Sequence, residues 1–204
     1  MSQHMAERSY QPPGQIMARL REGNRRFAEG RPLVANSSPA RRAELACGQR
    51  PFAAVLACSD SRVPPELVFD QGLGELFVVR VAGNVVDDTV LGSLEYAIEH
   101  LGVSFILVLG HSACGAVTSA CTCDFDGLDQ ATATLLRNIQ PSVEAARTQC
   151  SAPDDLVDTS AMINVEQQSR ALMRAPLIHQ ASADGRLVLQ GAWYDLRSGL
   201  VTWL

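Results

Sequence analysis

Residues 51–58, PFAAVLAC, form a short and almost continuously apolar run that ends at a cysteine. Two more runs of the same kind follow, ELFVVRVA at 75–82 and SFILVLG at 104–110. Runs of this length and composition are typical of strands that are buried on both faces, as in a parallel sheet. Helical patterns lie between them, so the sequence predicts an α/β fold with a mostly parallel central sheet flanked by helices.

The segments around these runs predict the remaining elements. DDTVLGSLEYAIEHLG at 87–102 has acidic residues at its start and a glycine at its end, which indicates a helix. After the third run the pattern is helical and polar to about residue 183. The chain closes with RLVLQGAWYDL (186–196) and LVTWL (200–204), which predict a strand hairpin around residues 197–199.

Residues 1–50 differ from the rest of the chain in charge and in pattern. They carry nine arginines against four acidic residues, whereas residues 51–204 carry eight arginines against eighteen acidic residues. Two helices are predicted here, one at 13–29 and one that begins after the N-cap Ser38 and ends before Gly48. We predict an N-terminal helical arm over 1–50 that belongs to the same domain as an α/β core over 51–204. The acidic core and the lack of interleaved aromatic residues argue against nucleic acid as a partner.

The composition excludes several classes of protein. All 17 basic residues are arginine, which rules out a Schiff-base lysine and the phosphate-binding lysine of a Walker motif. No apolar run reaches the ~20 residues that are needed to cross a bilayer, and the polar start of the chain has no signal-peptide core. We therefore expect a cytoplasmic protein with no membrane partner. Six cysteines in a chain of 204 residues are then more typical of buried or metal-bound thiols than of disulfides.

Residues with metal-binding side chains follow two of the predicted strands. Cys58 ends the first apolar run, and His111 and Cys114 follow the third in GHSACGA. Open α/β sheets place ligands at the carboxyl ends of their strands, so we expect these side chains at one edge of the sheet. Two thiolates and one imidazole suit Zn²⁺, which in catalytic sites has three protein ligands and one open position. We expect Cys114 at a helix N-terminus, where the helix dipole favours the thiolate.

Asp60 and Arg62 occupy alternate positions after Cys58. As a bidentate pair, Arg62 keeps Asp60 ionised, and an ionised carboxylate beside the metal accepts a hydrogen bond from a zinc-bound hydroxide. Other interpretations remain open from the residues alone. In the first, Cys58 is a buried small residue that binds no metal. In the second, Asp60 is the fourth ligand of a closed structural zinc site. In the third, the Asp60–Arg62 pair is an ordinary salt bridge of the loop.

The motifs resemble those of the bacterial branch of the β-class carbonic anhydrases. The family pattern is Cys-x-Asp-x-Arg, a long spacer and then His-x-x-Cys, which here is CSDSR at 58–62 and HSAC at 111–114. The resemblance extends over roughly residues 14–204. It includes three longer stretches: EGNRRFAEGRP (22–32), FDQGLGELFVVRVAGNVVDDTVLGSLEYAIEHLGV (69–103) and LVLQGAWYDLRSG (187–199).

The resemblance implies four parallel strands with a fifth strand near the C-terminus, and N-terminal helices that wrap a partner subunit in a homodimer or a dimer of dimers. It implies one zinc ion per subunit, bound by Cys58, His111 and Cys114, which Asp60 joins only in a closed, inactive state. The implied reaction is the reversible hydration of CO₂ to bicarbonate and a proton. In it, a zinc-bound hydroxide attacks CO₂ and is oriented by the Asp60–Arg62 dyad.

Two further implications concern substrate and regulation. Gly115 matches a position whose backbone N–H faces a substrate oxygen in the family. Some members also bind bicarbonate at a regulatory site that is made by a Trp, an Arg and a Tyr. Arg80 and Tyr194 match the last two, but the Trp position falls at Val55. We therefore expect any bicarbonate site here to be vestigial.

Two other functions are compatible with the same residues. One is a hydrolase that acts on CS₂ or COS, which differs from CO₂ hydration in pocket access. The other is a non-enzymatic zinc protein in which Asp60 is a permanent ligand. The remaining candidate side chains lack ligand spacing: His100 lies at a predicted helix C-terminus, where the dipole favours it, and Cys121 and Cys123 are too close for a CxxC redox pair.

Overall fold

A computed structural model describes residues 11–33, 37–125, 127–150 and 155–204. Within these ranges the chain forms helices α1 to α8, strands β1 to β5 and one short 3-10 turn, Ala82–Asn84, which follows β2. The helices are α1 Pro13–Ala28, α2 Pro39–Leu45, α3 Pro65–Val68, α4 Asp88–Glu99, α5 Gly115–Thr122, α6 Gln130–Gln149, α7 Leu156–Met173 and α8 Pro176–Ala183. The strands are β1 Ala53–Ala57, β2 Leu76–Arg80, β3 Phe105–His111, β4 Val188–Tyr194 and β5 Val201–Trp203.

The five strands form one sheet in the order β2-β1-β3-β4-β5. The first four are parallel to their neighbours, and β5 pairs antiparallel with β4. This confirms the expected four parallel strands, the C-terminal fifth strand and the hairpin that joins β4 to β5. His111 is the last residue of β3 rather than a residue of the loop after it, because its position pairs with Tyr194 of β4.

The burial of each strand agrees with its place in the sheet and with the apolar runs of the sequence. Every residue of β1 and β3 is buried, as expected for central strands with both faces covered. The edge strand β2 is mostly half-buried. One face packs against α1 and the α3 region through residues such as Leu20 and Phe69. The other face packs against α4, α7 and α8 through residues such as Leu94 and Ile178.

Both predicted N-terminal helices are present, and the two differ in how they contact the rest of the chain. Helix α1 packs Ile16 and Leu20 into the core of its own chain, and Asn24 donates to the carbonyl oxygen of Gly199 at 2.8 Å. Helix α2 buries no residue, and the Ser38 side chain caps it by accepting from a backbone N–H. Helix α1 therefore contacts the core of its own chain, whereas the division into an arm and a core of one domain stays a prediction. The boundary at residue 50 and the wrapping of a partner stay predictions.

A third apolar cluster lies beyond the carboxyl ends of β1 and β3. It combines Cys58 and Cys114 with residues of α5, α6 and α7, among them Val117 and Ile139. This cluster forms the surroundings of the candidate site. None of the described helices is long and apolar enough to cross a membrane.

Candidate metal centre and catalytic pair

Three metal-binding side chains converge at the carboxyl ends of the two central strands. Cys58 follows β1, His111 ends β3, and Cys114 is the N-cap of α5. Their ligand atoms lie within 4.8 Å of one another, and all three residues are buried. Among the described residues, no second group of three His, Cys, Asp or Glu side chains meets that criterion. The two half-sites that the sequence predicts therefore form one site.

The geometry of the three donors fits zinc. The Sγ atoms of Cys58 and Cys114 are 3.9 Å apart, and two sulfurs at about 2.3 Å from a tetrahedral zinc ion are about 3.8 Å from each other. His111 Nδ1 lies 2.9 Å from the carbonyl oxygen of Ser112. That contact requires the proton on Nδ1, so Nε2 carries the lone pair. Nε2 is buried and has no hydrogen-bond partner, as expected of an atom that binds a metal.

The pKa shifts of the two thiols also indicate a site that suits a cation. The hydrogen bond from Cys114 is the main cause that lowers the pKa of Cys58, to about 4. Backbone N–H groups of Asp60 and Gly83 donate to the same sulfur at 3.4 and 3.3 Å. The hydrogen bond with Cys58, followed by burial, raises the pKa of Cys114. Two adjacent buried thiolates repel each other, and a divalent cation stabilises both.

The loop between His111 and Cys114 is held in an unusual backbone conformation. Ala113 has a φ of 50°, a left-handed conformation that costs a non-glycine residue roughly 1–2 kcal/mol. Its N–H donates to Oδ1 of Asp158, in the first turn of α7, at 2.8 Å. Its carbonyl oxygen accepts from Nη2 of Arg62 at 3.3 Å. Asp158 and Arg62 thus fix the peptide groups that separate two of the metal-binding residues.

Gly110 and Gly115 flank this loop, and only at Gly110 would a side chain collide with its neighbours. A Cβ on Gly110 would lie 2.5 Å from Cγ2 of Val165, so the close approach of β3 to α7 depends on the missing side chain. Gly115 is the first residue of α5 and is exposed, and a Cβ there would meet open space. The contact between the Gly115 N–H and a substrate oxygen stays a prediction.

Asp60 and Arg62 form the bidentate pair that the sequence predicts. Nε and Nη2 of Arg62 donate to the two carboxylate oxygens of Asp60 at 2.9 and 2.7 Å. These hydrogen bonds hold the pKa of Asp60 well below its usual range. Oδ2 of Asp60 is 3.9 Å from Nε2 of His111. An ionised, acceptor-only carboxylate therefore lies directly beside the lone pair of the imidazole.

The residues that match the vestigial bicarbonate site have other contacts. Arg80 donates through Nε to the carbonyl oxygen of Cys58 at 3.0 Å and through Nη2 to that of Asp60. Tyr194 is buried, and burial raises the pKa of its phenol. Val55 is completely buried in β1. Arg80 therefore braces the loop between Cys58 and Asp60, and bicarbonate binding by Arg80 and Tyr194 stays a prediction.

Two features of the site are not among those predicted from the sequence. Asp158 is an acidic residue in the first turn of a helix, which is where acidic residues are ordinarily found, so nothing in the sequence distinguishes it. Gly83 and Asn84 are adjacent residues with φ values of 66° and 44°. Gly and Asn adopt the left-handed conformation more readily than other residues, so the adjacent pair is a sequence signal for such a turn.

Comparison with known proteins identifies the family. A family model described as "Carbonic anhydrase" matches residues 53–201. Carbonic anhydrase 2 of Mycobacterium tuberculosis is 43% identical over 185 residues, which cover 88% of this chain and 87% of that protein. The carbonic anhydrase of Pseudomonas aeruginosa is 41% identical over 170 residues, which cover 77% of this chain and 74% of that protein.

Solved structures agree with the sequence relatives. The β-carbonic anhydrase CcaA is 29% identical and superposes with a TM-score of 0.73 over 92% of this chain and 94% of that one. One of two tetrameric β-carbonic anhydrases from Sordaria macrospora is 27% identical, with a TM-score of 0.75 over 94% of this chain and 97% of that one. The buried Cys-His-Cys group, the parallel sheet that presents it and these relatives lead to one conclusion: the chain belongs to the β-class carbonic anhydrase family.

Proposed function

We propose that the protein catalyses the reversible hydration of CO₂ to bicarbonate and a proton at a zinc ion held by Cys58, His111 and Cys114. The observation that carries this proposal is the unpartnered Nε2 of His111, which lies with the two sulfurs in one buried group and 3.9 Å from the carboxylate of Asp60. When bound, zinc supplies Lewis acidity that makes hydroxide available from water near neutral pH.

Asp60 orients the nucleophile in this proposal. Because Arg62 keeps the carboxylate ionised, Asp60 only accepts hydrogen bonds. It accepts a hydrogen bond from the attacking hydroxyl group and so turns a lone pair of that oxygen toward CO₂. With its low pKa, Asp60 is a poor base near neutral pH. The proton released by the reaction therefore passes to buffer and does not stay on Asp60.

The surroundings of the site suit an apolar substrate. Val85 and Val117 lie in the same buried cluster as Cys58 and Cys114. Apolar side chains beside the ligands exclude competing water and favour a small, uncharged molecule such as CO₂. Gly115 is an exposed residue at the start of α5, and its backbone N–H is proposed to donate to an oxygen of the substrate or of the bicarbonate product.

Arg62→Gln tests the role of the pair. The variant is expected to lower kcat/KM for CO₂ hydration about 10- to 100-fold and to raise the pKa of Asp60 toward its ordinary value. A depressed pKa adds stability above the unfolded pKa of about 3.9, and this contribution is lost as the pH falls through the folded pKa. In the variant the pKa is less depressed, so this contribution to stability is smaller. An NMR titration of the Asp60 carboxyl group, with stopped-flow kinetics, measures both effects.

The matched control is Arg186→Gln. Arg186 pairs with Asp184 at 3.0 Å and at the same two-residue spacing, but this pair is exposed. The control is expected to leave hydration unchanged. Equal kinetics in the two variants, or an unshifted Asp60 carboxyl titration in Arg62→Gln, would contradict the proposed role of Arg62.

We also propose that the chain assembles as a homodimer or a dimer of dimers, with the arm over 1–50 against the partner subunit. Support comes from the tetrameric relative of Sordaria macrospora and from exposed apolar side chains, with Leu33 at 66% and Leu67 at 62%. The edge strand β2 also has one side without a strand neighbour in the described sheet. Light scattering on the purified protein is expected to give two or four times the mass of one chain. A fully active monomer would rule out the assembly.

A cytoplasmic location is part of the same proposal. It is supported by the six cysteines, which form no disulfide in the described structure. Free thiols are typical of a reducing compartment, where disulfides are rare.

A further inference from the structure

A chain of buried amide side chains lies behind the Cys58 side of the metal centre. Asn164 and Gln168, one turn apart on α7, are 0% and 6% exposed. Buried amides remain in folded proteins when their donors and acceptors are paired, because each unpaired polar group costs about 1–3 kcal/mol. The partners of these two side chains therefore indicate what they do.

Both amides bind the backbone of the segment that contains the 82–84 turn. Asn164 Nδ2 donates to the carbonyl oxygen of Gly83 at 2.8 Å, and Gln168 Oε1 accepts from the N–H of Val86 at 2.8 Å. The two side chains are also joined, since Gln168 Nε2 donates to Asn164 Oδ1 at 3.0 Å. Ser142 of α6 donates to the same Oδ1 at 3.3 Å. Each amide is thus fixed from more than one side.

The 82–84 turn is held by these amides and by packing. Gly83 and Asn84 are both left-handed, a conformation that glycine and asparagine adopt more readily than other residues. A Cβ on Gly83 would lie 2.5 Å from Cδ1 of Ile139, so the turn is also packed tightly against α6. In this conformation the Gly83 N–H donates to Sγ of Cys58 at 3.3 Å.

We propose that Asn164 and Gln168 are positioning residues of the metal centre. Neither touches the metal ligands. By holding the backbone on both sides of Asn84, they keep the Gly83 N–H directed at the Cys58 sulfur, where it stabilises the thiolate and fixes its lone pairs toward the ion. Groups in this outer position typically change metal affinity about 10- to 100-fold. The proposal rests on the proposed function in taking Cys58 as a zinc ligand.

A purely structural role for the amides gives a different expectation. If Asn164 and Gln168 only fill the core, their replacement lowers the free energy of unfolding and leaves the electronic state of the Cys58 sulfur unchanged. When a thiolate sulfur loses an N–H donor, the energy of its lone-pair electrons rises. The sulfur-to-cobalt charge-transfer transition then needs less energy, so its absorption band moves to longer wavelength. Cobalt spectra therefore separate the two roles.

The experiment uses the full chain with Asn164→Ala, Gln168→Met and the control Ser160→Ala. Ser160 is a completely buried polar residue of the same helix, and its hydroxyl lies 3.8 Å from Cys121 Sγ instead of binding the turn. Zinc affinity is measured by competition with a chromophoric chelator, and the thiolate-to-cobalt band is recorded on the Co²⁺-substituted proteins. We expect Asn164→Ala to weaken zinc binding about 10- to 100-fold, with a smaller loss in Gln168→Met. The band should move to longer wavelength in both, and the control should match the wild type.

Wild-type zinc affinity and an unshifted cobalt band in folded Asn164→Ala would overturn the proposal. If Asn164→Ala does not fold, Gln168→Met decides by the same two readouts, since Met has a similar volume and removes both hydrogen bonds of the amide. Neither readout depends on catalysis. A wild-type chain that binds zinc but does not hydrate CO₂ contradicts the proposed function and leaves the result for the amides standing.

Discussion

Cys114→Ala is expected to abolish stoichiometric zinc binding and to lower CO₂ hydration by on the order of a thousand-fold or more. The substitution leaves one thiolate and one imidazole, and a catalytic zinc site needs three protein ligands. It also removes the sulfur that lies 3.9 Å from Cys58 Sγ. Metal analysis by mass spectrometry and stopped-flow hydration on the same preparation measure the two effects.

Cys123→Ala is the matched control for that variant. Cys123 is an exposed free thiol at the other end of α5, so its removal tests the loss of a cysteine near the same helix without touching the site. We expect full zinc content and full activity in the control. A Cys114→Ala protein that hydrates CO₂ as fast as the Cys123→Ala protein would remove Cys114 from the metal centre.

Asp60→Asn is expected to keep zinc and to lower CO₂ hydration about 100- to 1,000-fold. The amide has nearly the shape of the carboxylate, but it is neutral and has only one acceptor oxygen. It cannot accept from Arg62 on both sides and also accept from the nucleophile. The loss should therefore be in kcat/KM at unchanged zinc content, which separates the catalytic pair from the metal ligands.

The control for this variant is Asp184→Asn, because Asp184 also pairs with an arginine two residues later, Arg186, on the surface. If the Asp60–Arg62 pair were only a loop salt bridge, Asp60→Asn and Asp184→Asn would behave alike, with small changes in stability and normal hydration. Exposed ion pairs typically contribute about 0–1 kcal/mol. A large kinetic effect confined to Asp60→Asn is the result that the proposed mechanism requires.

The central sheet and the metal centre could be predicted because their signals are local. The continuous apolar runs before Cys58 and His111 indicate buried parallel strands, and strand ends in such sheets meet at one edge. The pairing of Asp60 with Arg62 needs only a two-residue spacing. In each case the residues that act together are close in sequence or are brought together by a general rule of topology.

The supporting residues could not be predicted because they lie on a distant helix. Asp158 and Asn164 of α7 follow Cys114 by more than forty positions, and in the sequence they read as polar positions of a helical segment. Only the packing of α7 against β3 and the 82–84 turn places them behind the site. Ala113 is a further example: its backbone is left-handed, and nothing in the sequence indicates that conformation at an alanine.

CO₂ hydration at the Cys-His-Cys zinc centre is tested most directly by stopped-flow kinetics on purified protein of known zinc content. We expect one zinc ion per chain and rapid hydration that is lost on chelation and restored by added zinc. One zinc ion per chain without hydration activity at any pH between about 6.5 and 9 would contradict this expectation and favour a non-enzymatic zinc protein.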